Sequence, residues 1–428
     1  MVRIFTAFFA ILFIFNASIY ADTVQISSSE WTATASSPTA HNDVKLNYNT
    51  LESDQSLKIK ESPSALDKNS ALTSTAHAEV EAEANDSQGA EIKSLQENLY
   101  EAYGQKKAVE NSLSFFSERI RKQFSLWLAR SGRYLPMMVE ILLGKGLPAD
   151  IAFLPLIESG FNPYAYSRAR AMGPWQFIAG TAKRYGLKID WWVDERRDPI
   201  KSTIAAAEYL KDLYGMFDSW TLALAAYNAG EGRIRRALNK SRANDFWTLK
   251  KTRSIPRETR NYIPHYIAAT TIAKDPESFG FQDIDYYEPM LYDEIVINAP
   301  MDISVIAKSA ETTVEEIRKL NPELRRWCTP LNVSSYTLRI PFGKKEIFFK
   351  NLTEIPADKL LATRQYKVKK GDTVKRVARR FGISTTAVRE MNSLTGRNPK
   401  LKIGDILLIP PKEFVHLAKD RIGSKKGR

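Results

Sequence analysis

Glu158 follows the apolar residues Phe153, Leu154, Leu156 and Ile157 and precedes Phe161, within "LPLIESGFNPYAYSRARAMGPWQF" (154–177). A carboxyl in apolar company is disfavoured in its charged form, and a glutamate kept protonated near neutrality can serve as a general acid. The competing reading is an exposed acid at a helix end, which is common. Glycosidic cleavage is one use for a protonated glutamate, although ordinary glycosidases employ two carboxylates. Asp190, Asp194, Glu195 and Asp198 in "KIDWWVDERRDP" are the candidates for a second. Asp198 stands where a helix cap is expected before Pro199, and Glu195 beside Arg196 and Arg197 as an ion-pair partner. His41, His77, His265 and His416 are scattered without the spacing of a metal site, so neither a metal nor another cofactor is expected.

The elements around Glu158 read as helices. Phe116, Ile120, Phe124, Trp127 and Leu128 recur at three and four residues. Gly146 ends the next helical run, and Pro148 opens "PADIAFLPLIES", which carries Glu158 at its C-terminal end with Gly160 as the cap. After Asp198 and Pro199, a stripe of Ile200, Ile204, Leu210, Leu213 and Phe217 marks another helix. "WTLALAAYNAGEGRIRRAL", interrupted by Gly230 and Gly232, and "RETRNYIPHYIAATTIA" mark further ones. The region from 96 to about 290 is therefore expected to be all-α.

Composition limits what such a body could meet. Residues 4–15, "IFTAFFAILFIF", follow Arg3 and precede small Ala21, the pattern of an export signal over 1–21 and too short for a comfortable membrane span. Membrane association would come only through an uncleaved signal. Residues 22–95 hold 12 acidic against 5 basic side chains amid Ser, Thr and Ala, as in a disordered acidic linker. With the leader's Arg3 set aside, that leaves +19 on 96–428. A basic exported protein suits an anionic polymer; export excludes nucleic acid, and a cell-wall glycan with free carboxylates fits. Cys328 is the sole cysteine, so no internal disulfide forms. Nothing in the sequence fixes an oligomeric state.

Beyond residue 290 the pattern changes to short strands and helices. Residues 364–412 read as a β-α-α-β unit: a strand at Tyr366 to Val368, the turn Gly371-Asp372-Thr373 capping a helix, a second helix from Ser384, and a strand ending at Ile409. Residues 291–345 repeat the plan in degenerate form, with Pro300-Met301-Asp302 in place of Gly-Asp-Thr. Residues 413–428 form a basic tail.

Four motifs in order, Glu158-Ser159, Gly173-Pro-Trp-Gln176, Ala226-Tyr-Asn-Ala-Gly230 and Glu258-Thr-Arg-Asn-Tyr262, resemble the signature of the soluble lytic transglycosylase catalytic domain, a lysozyme-like fold. With "YGLKIDWWVDERRDP", "NDFWTL" and the C-terminal units, residues 96–412 resemble the membrane-bound lytic murein transglycosylase D family. The resemblance implies a mainly α protein: a lysozyme-like all-α catalytic domain followed by small α+β lysin-motif (LysM) modules. It implies cleavage of peptidoglycan between N-acetylmuramic acid and N-acetylglucosamine, Glu158 acting first as acid and then as base to form a 1,6-anhydro sugar. By the same resemblance Ser167, Met172, Gln176, Tyr227, Asn228 and Tyr262 bind the substrate, while Gly371, Asp372, Thr373, Leu401 and Ile403 of the second LysM unit bind glycan strands. Ser167 as an ordinary turn serine, Tyr227 and Tyr262 as core aromatics, and Asp372 and Thr373 as helix caps are the plainer readings of those residues. The family's lipid-bearing cysteine is absent, and Pro174-Trp175 stands where many relatives have Leu-Met. A lysozyme-type hydrolase and a non-catalytic wall-binding protein are the rival functions.

Overall fold

A computed structural model describes residues 106–396 and 399–418. The expected leader (1–21), the linker (22–95), the first ten residues of the catalytic region and the last ten of the basic tail lie outside them.

The first body is helical. α1 (Lys106–Ser114) runs through a π-turn (Phe115–Arg119) into α2 (Arg121–Gly144), whose buried face carries Phe124, Leu128, Met138 and Leu142. A 3-10 turn (Ala149–Phe153) leads directly into α3 (Leu154–Ser159), which ends because Gly160 turns left-handed at φ 59°. Short α4 (Ala179–Arg184) precedes α5 (Pro199–Phe217). Then come α6 (Trp220–Ala229), α7 (Glu231–Ser241), α8 (Phe246–Lys251) and α9 (Arg257–Lys274).

Asp198 caps α5 as expected, its Oδ1 accepting from Ile200 and Lys201 backbone N–H at 2.9 and 3.0 Å. The stripe expected along α5 needs correcting. Ile204 is 39% exposed, and the buried face carries Ala205, Ala206, Tyr209, Leu210 and Leu213. Ile204 and Leu210 are six residues apart, which at 3.6 residues per turn is about 240° round the helix, so they cannot share a face. Of the two glycines expected to interrupt the next segment, only Gly230 does so, at φ 87°; Gly232 lies inside α7.

Two small sheets follow. β1 (Tyr292–Ile297) pairs antiparallel with β2 (Tyr336–Pro341) around α10 (Ile303–Ser309) and α11 (Val314–Leu320). α12 (Lys345–Thr353) then packs back with Phe348 fully buried, so this unit extends past residue 345, the end expected from the repeat pattern. β3 (Arg364–Lys367) pairs with β4 (Ile406–Ile409) around α13 (Val374–Phe381) and α14 (Thr385–Met391). Strand β3 starts two residues earlier than the apolar pattern suggested.

The two kinds of unit are joined through "KIDWWVDERRDP". Trp191, Trp192 and Val193 are buried in the same core as Trp327, Leu338 and Ile340, not in the helical core. The Asp194 N–H donates to the Glu323 carbonyl at 3.0 Å, and Arg325 N–H to the Trp192 carbonyl at 2.9 Å. Arg339 of β2 sends Nη2 to Asp198 Oδ2 at 2.8 Å, both side chains buried. The cap of α5 thus doubles as the anchor of the β1–β2 unit.

Candidate active site

Glu158 projects from the last turn of α3 into a groove of about 460 Å³. The opposite wall is the hairpin 166–177, whose placement follows from one buried arginine. Arg196 grips Asp194 through Nε–Oδ1 (2.8 Å) and Nη2–Oδ2 (2.7 Å), then donates Nη1 to the carbonyls of Arg170 (3.0 Å) and Phe177 (3.1 Å). The hairpin backbone presses against this support: a Cβ on Gly173, at φ 85°, would stand 1.7 Å from the Arg196 carbonyl oxygen. Ser159 closes the other side, donating Oγ to the Pro174 carbonyl at 2.8 Å.

This arrangement corrects the reading of the acidic segment. Arg196 pairs with Asp194, and Glu195 instead meets Lys201 Nζ at 2.7 Å and accepts the Lys188 N–H at 2.7 Å. Asp190 binds the backbone N–H groups of Trp192 and Val193. All four acids are spent on structure, and none lines the groove.

Burial is the main influence on Glu158 and raises its pKa from 4.5 to about 7. The Tyr262 hydroxyl donates to Oε1 and opposes the rise; the charge of Glu258 adds to it. Glu158 is therefore largely protonated just below neutrality while it still opens onto the groove.

Ser167 and Gln176 line the groove with it. Ser167 Oγ accepts the Ala171 N–H at 3.0 Å, so the turn reading holds, and its O–H remains available to a ligand. Gln176, at φ 48°, donates Nε2 to the carbonyls of Gly173 (2.8 Å) and Ala165 (3.2 Å), leaving Oε1 as the atom it can offer. Tyr262 is buried yet bonded to the acid. Met172, Tyr227 and Asn228 are not on the groove wall. Met172 is buried in the hairpin, where its N–H donates to the Phe177 carbonyl. Tyr227 donates its hydroxyl to the Trp175 carbonyl at 2.7 Å; burial, and then the charge of Glu158, pushes its pKa well up. Asn228 accepts from Thr259 Oγ1 at 2.9 Å and ties α6 to α9.

Gln123, Trp127 and Arg130 of α2 complete the wall, and the sequence did not single them out for chemistry. Their amphipathic helix read as packing alone.

The two β-α-α-β units differ at their loops. In the second, Gly371 and Thr373 are exposed, Ile403 is 68% exposed and Leu401 is partly so. Thr373 caps α13, accepting the Arg376 N–H at 3.2 Å. Asp372 does not cap; its carboxylate takes the Tyr366 hydroxyl (2.6 Å) and the Lys369 N–H (2.9 Å), stapling the loop. In the first, the matching loops bond to one another: Met301 N–H to Thr329 Oγ1 and Thr329 N–H to the Met301 carbonyl, both 3.0 Å. Met301, Asp302, Trp327, Cys328 and Thr329 are all buried.

Known sequences agree with this layout. Residues 145–250 match the family described as Transglycosylase SLT domain, 292–357 the family Lytic transglycosylase MltD, LysM-like domain, and 366–410 the LysM domain. Membrane-bound lytic murein transglycosylase D of Escherichia coli (strain K12) is 31% identical over 317 residues, spanning 68% of this chain and 69% of that protein. The chain belongs to the membrane-bound lytic murein transglycosylase D family. A more distant relative of this family member is the soluble lytic murein transglycosylase of the same strain, 32% identical over 132 residues, 29% of this chain and 20% of that one. Among solved structures, an inactive variant of lytic transglycosylase Slt from Pseudomonas aeruginosa is similar at TM-score 0.29 and 26% identity, covering 33% of this chain and 24% of its own. The 70 kDa soluble lytic transglycosylase of Escherichia coli is similar at TM-score 0.32 and 21% identity, covering 44% and 32%.

Proposed function

We propose that this protein is an exported peptidoglycan lytic transglycosylase, cutting the β-1,4 bond between N-acetylmuramic acid and N-acetylglucosamine. The observation that carries this is that Glu158 is the one carboxyl among the described residues lining the groove, with burial raising its pKa to about 7. Glu158 gives its proton to the glycosidic oxygen as the C1–O bond breaks, and N-acetylglucosamine departs as the alcohol. The resulting carboxylate, steadied by the Tyr262 hydroxyl, takes the proton of the muramic C6 hydroxyl. The C6 oxygen bonds to C1, and Glu158 is protonated again. No water and no second carboxylate are consumed, which suits a wall that offers neither Asp190, Asp194 nor Asp198.

Ser167 and Gln176 hold the sugars from the hairpin. Met172, Tyr227 and Asn228 act one layer behind, fixing the hairpin and α6. The open loops at Gly371, Asp372, Thr373, Leu401 and Ile403 hold a glycan strand, while the closed first unit serves as a brace. Released disaccharide-peptides should end in 1,6-anhydro-N-acetylmuramic acid, one water lighter than a hydrolase product. Borohydride-reducible ends as the main product, seen by mass analysis of digested sacculi, would instead establish a muramidase.

A further inference from the structure

Three side chains of α2 face the groove at successive turns: Gln123, Trp127 and Arg130. At 1.5 Å per residue they span about 10 Å, enough to meet more than one sugar. Trp127 is held from two sides. Its ring lies against Gly160, where a Cβ would stand 2.1 Å from Cδ1, and it meets Phe116 and Phe124 edge-on at 6.4 and 5.7 Å. An indole fixed in this way is a rigid apolar platform for a pyranose ring, at little ordering cost on binding.

Arg130 is half-buried, and among the described residues no hydrogen bond or ion pair holds its guanidinium. The helix neighbours that could pair with it, Leu126, Trp127, Arg133 and Tyr134, carry no negative charge. Among the described residues lining the groove, Glu158 carries the one carboxyl and Arg130 the one guanidinium or ammonium. With the glutamate protonated, the groove carries a positive charge.

We propose that Gln123, Trp127 and Arg130 form a carboxylate-reading subsite on α2, with Trp127 stacking on a sugar and Arg130 pairing with a carboxylate borne by the muramic residue. That carboxylate is either on the peptide stem or, where the stem is gone, on the lactyl group itself. A planar guanidinium grips either one bidentately, and a neutral N-acetylglucosamine chain offers it nothing. This subsite rests on the proposed peptidoglycan reaction and supplies its discrimination between wall glycan and carboxylate-free polymers.

The test uses the full chain with three probes: glycan strands with stems, amidase-stripped strands with free lactyl groups, and chitooligosaccharides as competitors. Arg130→Gln should raise KM about tenfold on carboxylate-bearing strands, with kcat and its pH profile unchanged. Arg130→Lys should recover much of the loss, and chitooligosaccharide affinity should stay at the wild-type value. A loss confined to stemmed strands assigns the stem carboxylate; one confined to stripped strands assigns the lactyl group. Wild-type KM on charged strands should rise with salt, and this rise should flatten in Arg130→Gln. An unchanged KM on both strands, or an equal loss toward chitooligosaccharides, overturns the proposal. The products of the wild-type enzyme test the reaction itself, so its failure is read separately.

Discussion

Replacing Glu158 by glutamine should stabilise the protein while abolishing cleavage, and the gain should depend on pH. Burial raises this carboxyl from 4.5 to about 7. The native state therefore holds a proton between those values that the unfolded chain has lost, and stability falls as pH rises through that window. At about 1.4 kcal/mol per pH unit, the charged form costs the native state about 3 kcal/mol once pH exceeds 7. The groove side of Glu158 is open to solvent, which makes this an upper value. Glutamine keeps the shape and can still accept the Tyr262 hydroxyl, but never charges. Thermal melts of both proteins from pH 4 to 8 give the readout. They should coincide near pH 4, where Glu158 is neutral folded and unfolded. Above pH 7 the variant should melt about 5 °C higher, given the unfolding entropy of about 300 ordered residues. Glu323, raised by burial, and Asp302, raised by burial to about 6, titrate in both proteins and cancel in the difference. Equal melting at pH 8, or a constant offset at every pH, would refute the burial of a costly charge.

Tyr262→Phe removes a bond that favours the ionised acid, so the alkaline limb of kcat/KM should move up by about one pH unit; a limb that stays in place counts against Glu158 as the titrating acid. Asp194→Asn strips a buried arginine of its partner and should cost about 3 kcal/mol in urea unfolding while leaving product chemistry intact. A folded Asp194→Asn protein as inactive as Glu158→Gln would restore a two-carboxylate mechanism. Removal of the β3–β4 unit has to follow Thr363, because α12 and the bonds of Asp302 to Leu360 and Ala362 belong to the first unit. The shortened enzyme should cleave short soluble fragments almost normally but bind sacculi more weakly in pelleting assays, since the tethered second site is gone. Equal pelleting at moderate salt would make the β3–β4 unit a structural appendage.

The chain itself dictated whatever depends on near neighbours. Asp198, Ser384 and Thr373 cap helices because a short side-chain oxygen reaches an N–H two or three residues on. Glu158 sits at a helix end because Gly160 can turn left-handed. The order of four motifs gave the family, and the Gly-Asp-Thr turn the open LysM unit. Residue type without position also misleads locally: Ile204 is apolar but points outward in the phase of α5, and Gly232 lies inside α7 without breaking it. Folding decided whatever joins distant segments. Tyr262 meets an acid 104 residues away, and Arg339 anchors a cap 141 residues away. Trp127 and Arg130 become groove wall only because α2 crosses beside Gly160, and their helix gave no sign of it. Trp191 and Trp192, part of a motif in the catalytic region, lie in the core of another unit. Local pattern states which residues need burial or a partner, but the partner is fixed by which surfaces pack together, and that geometry belongs to the whole chain.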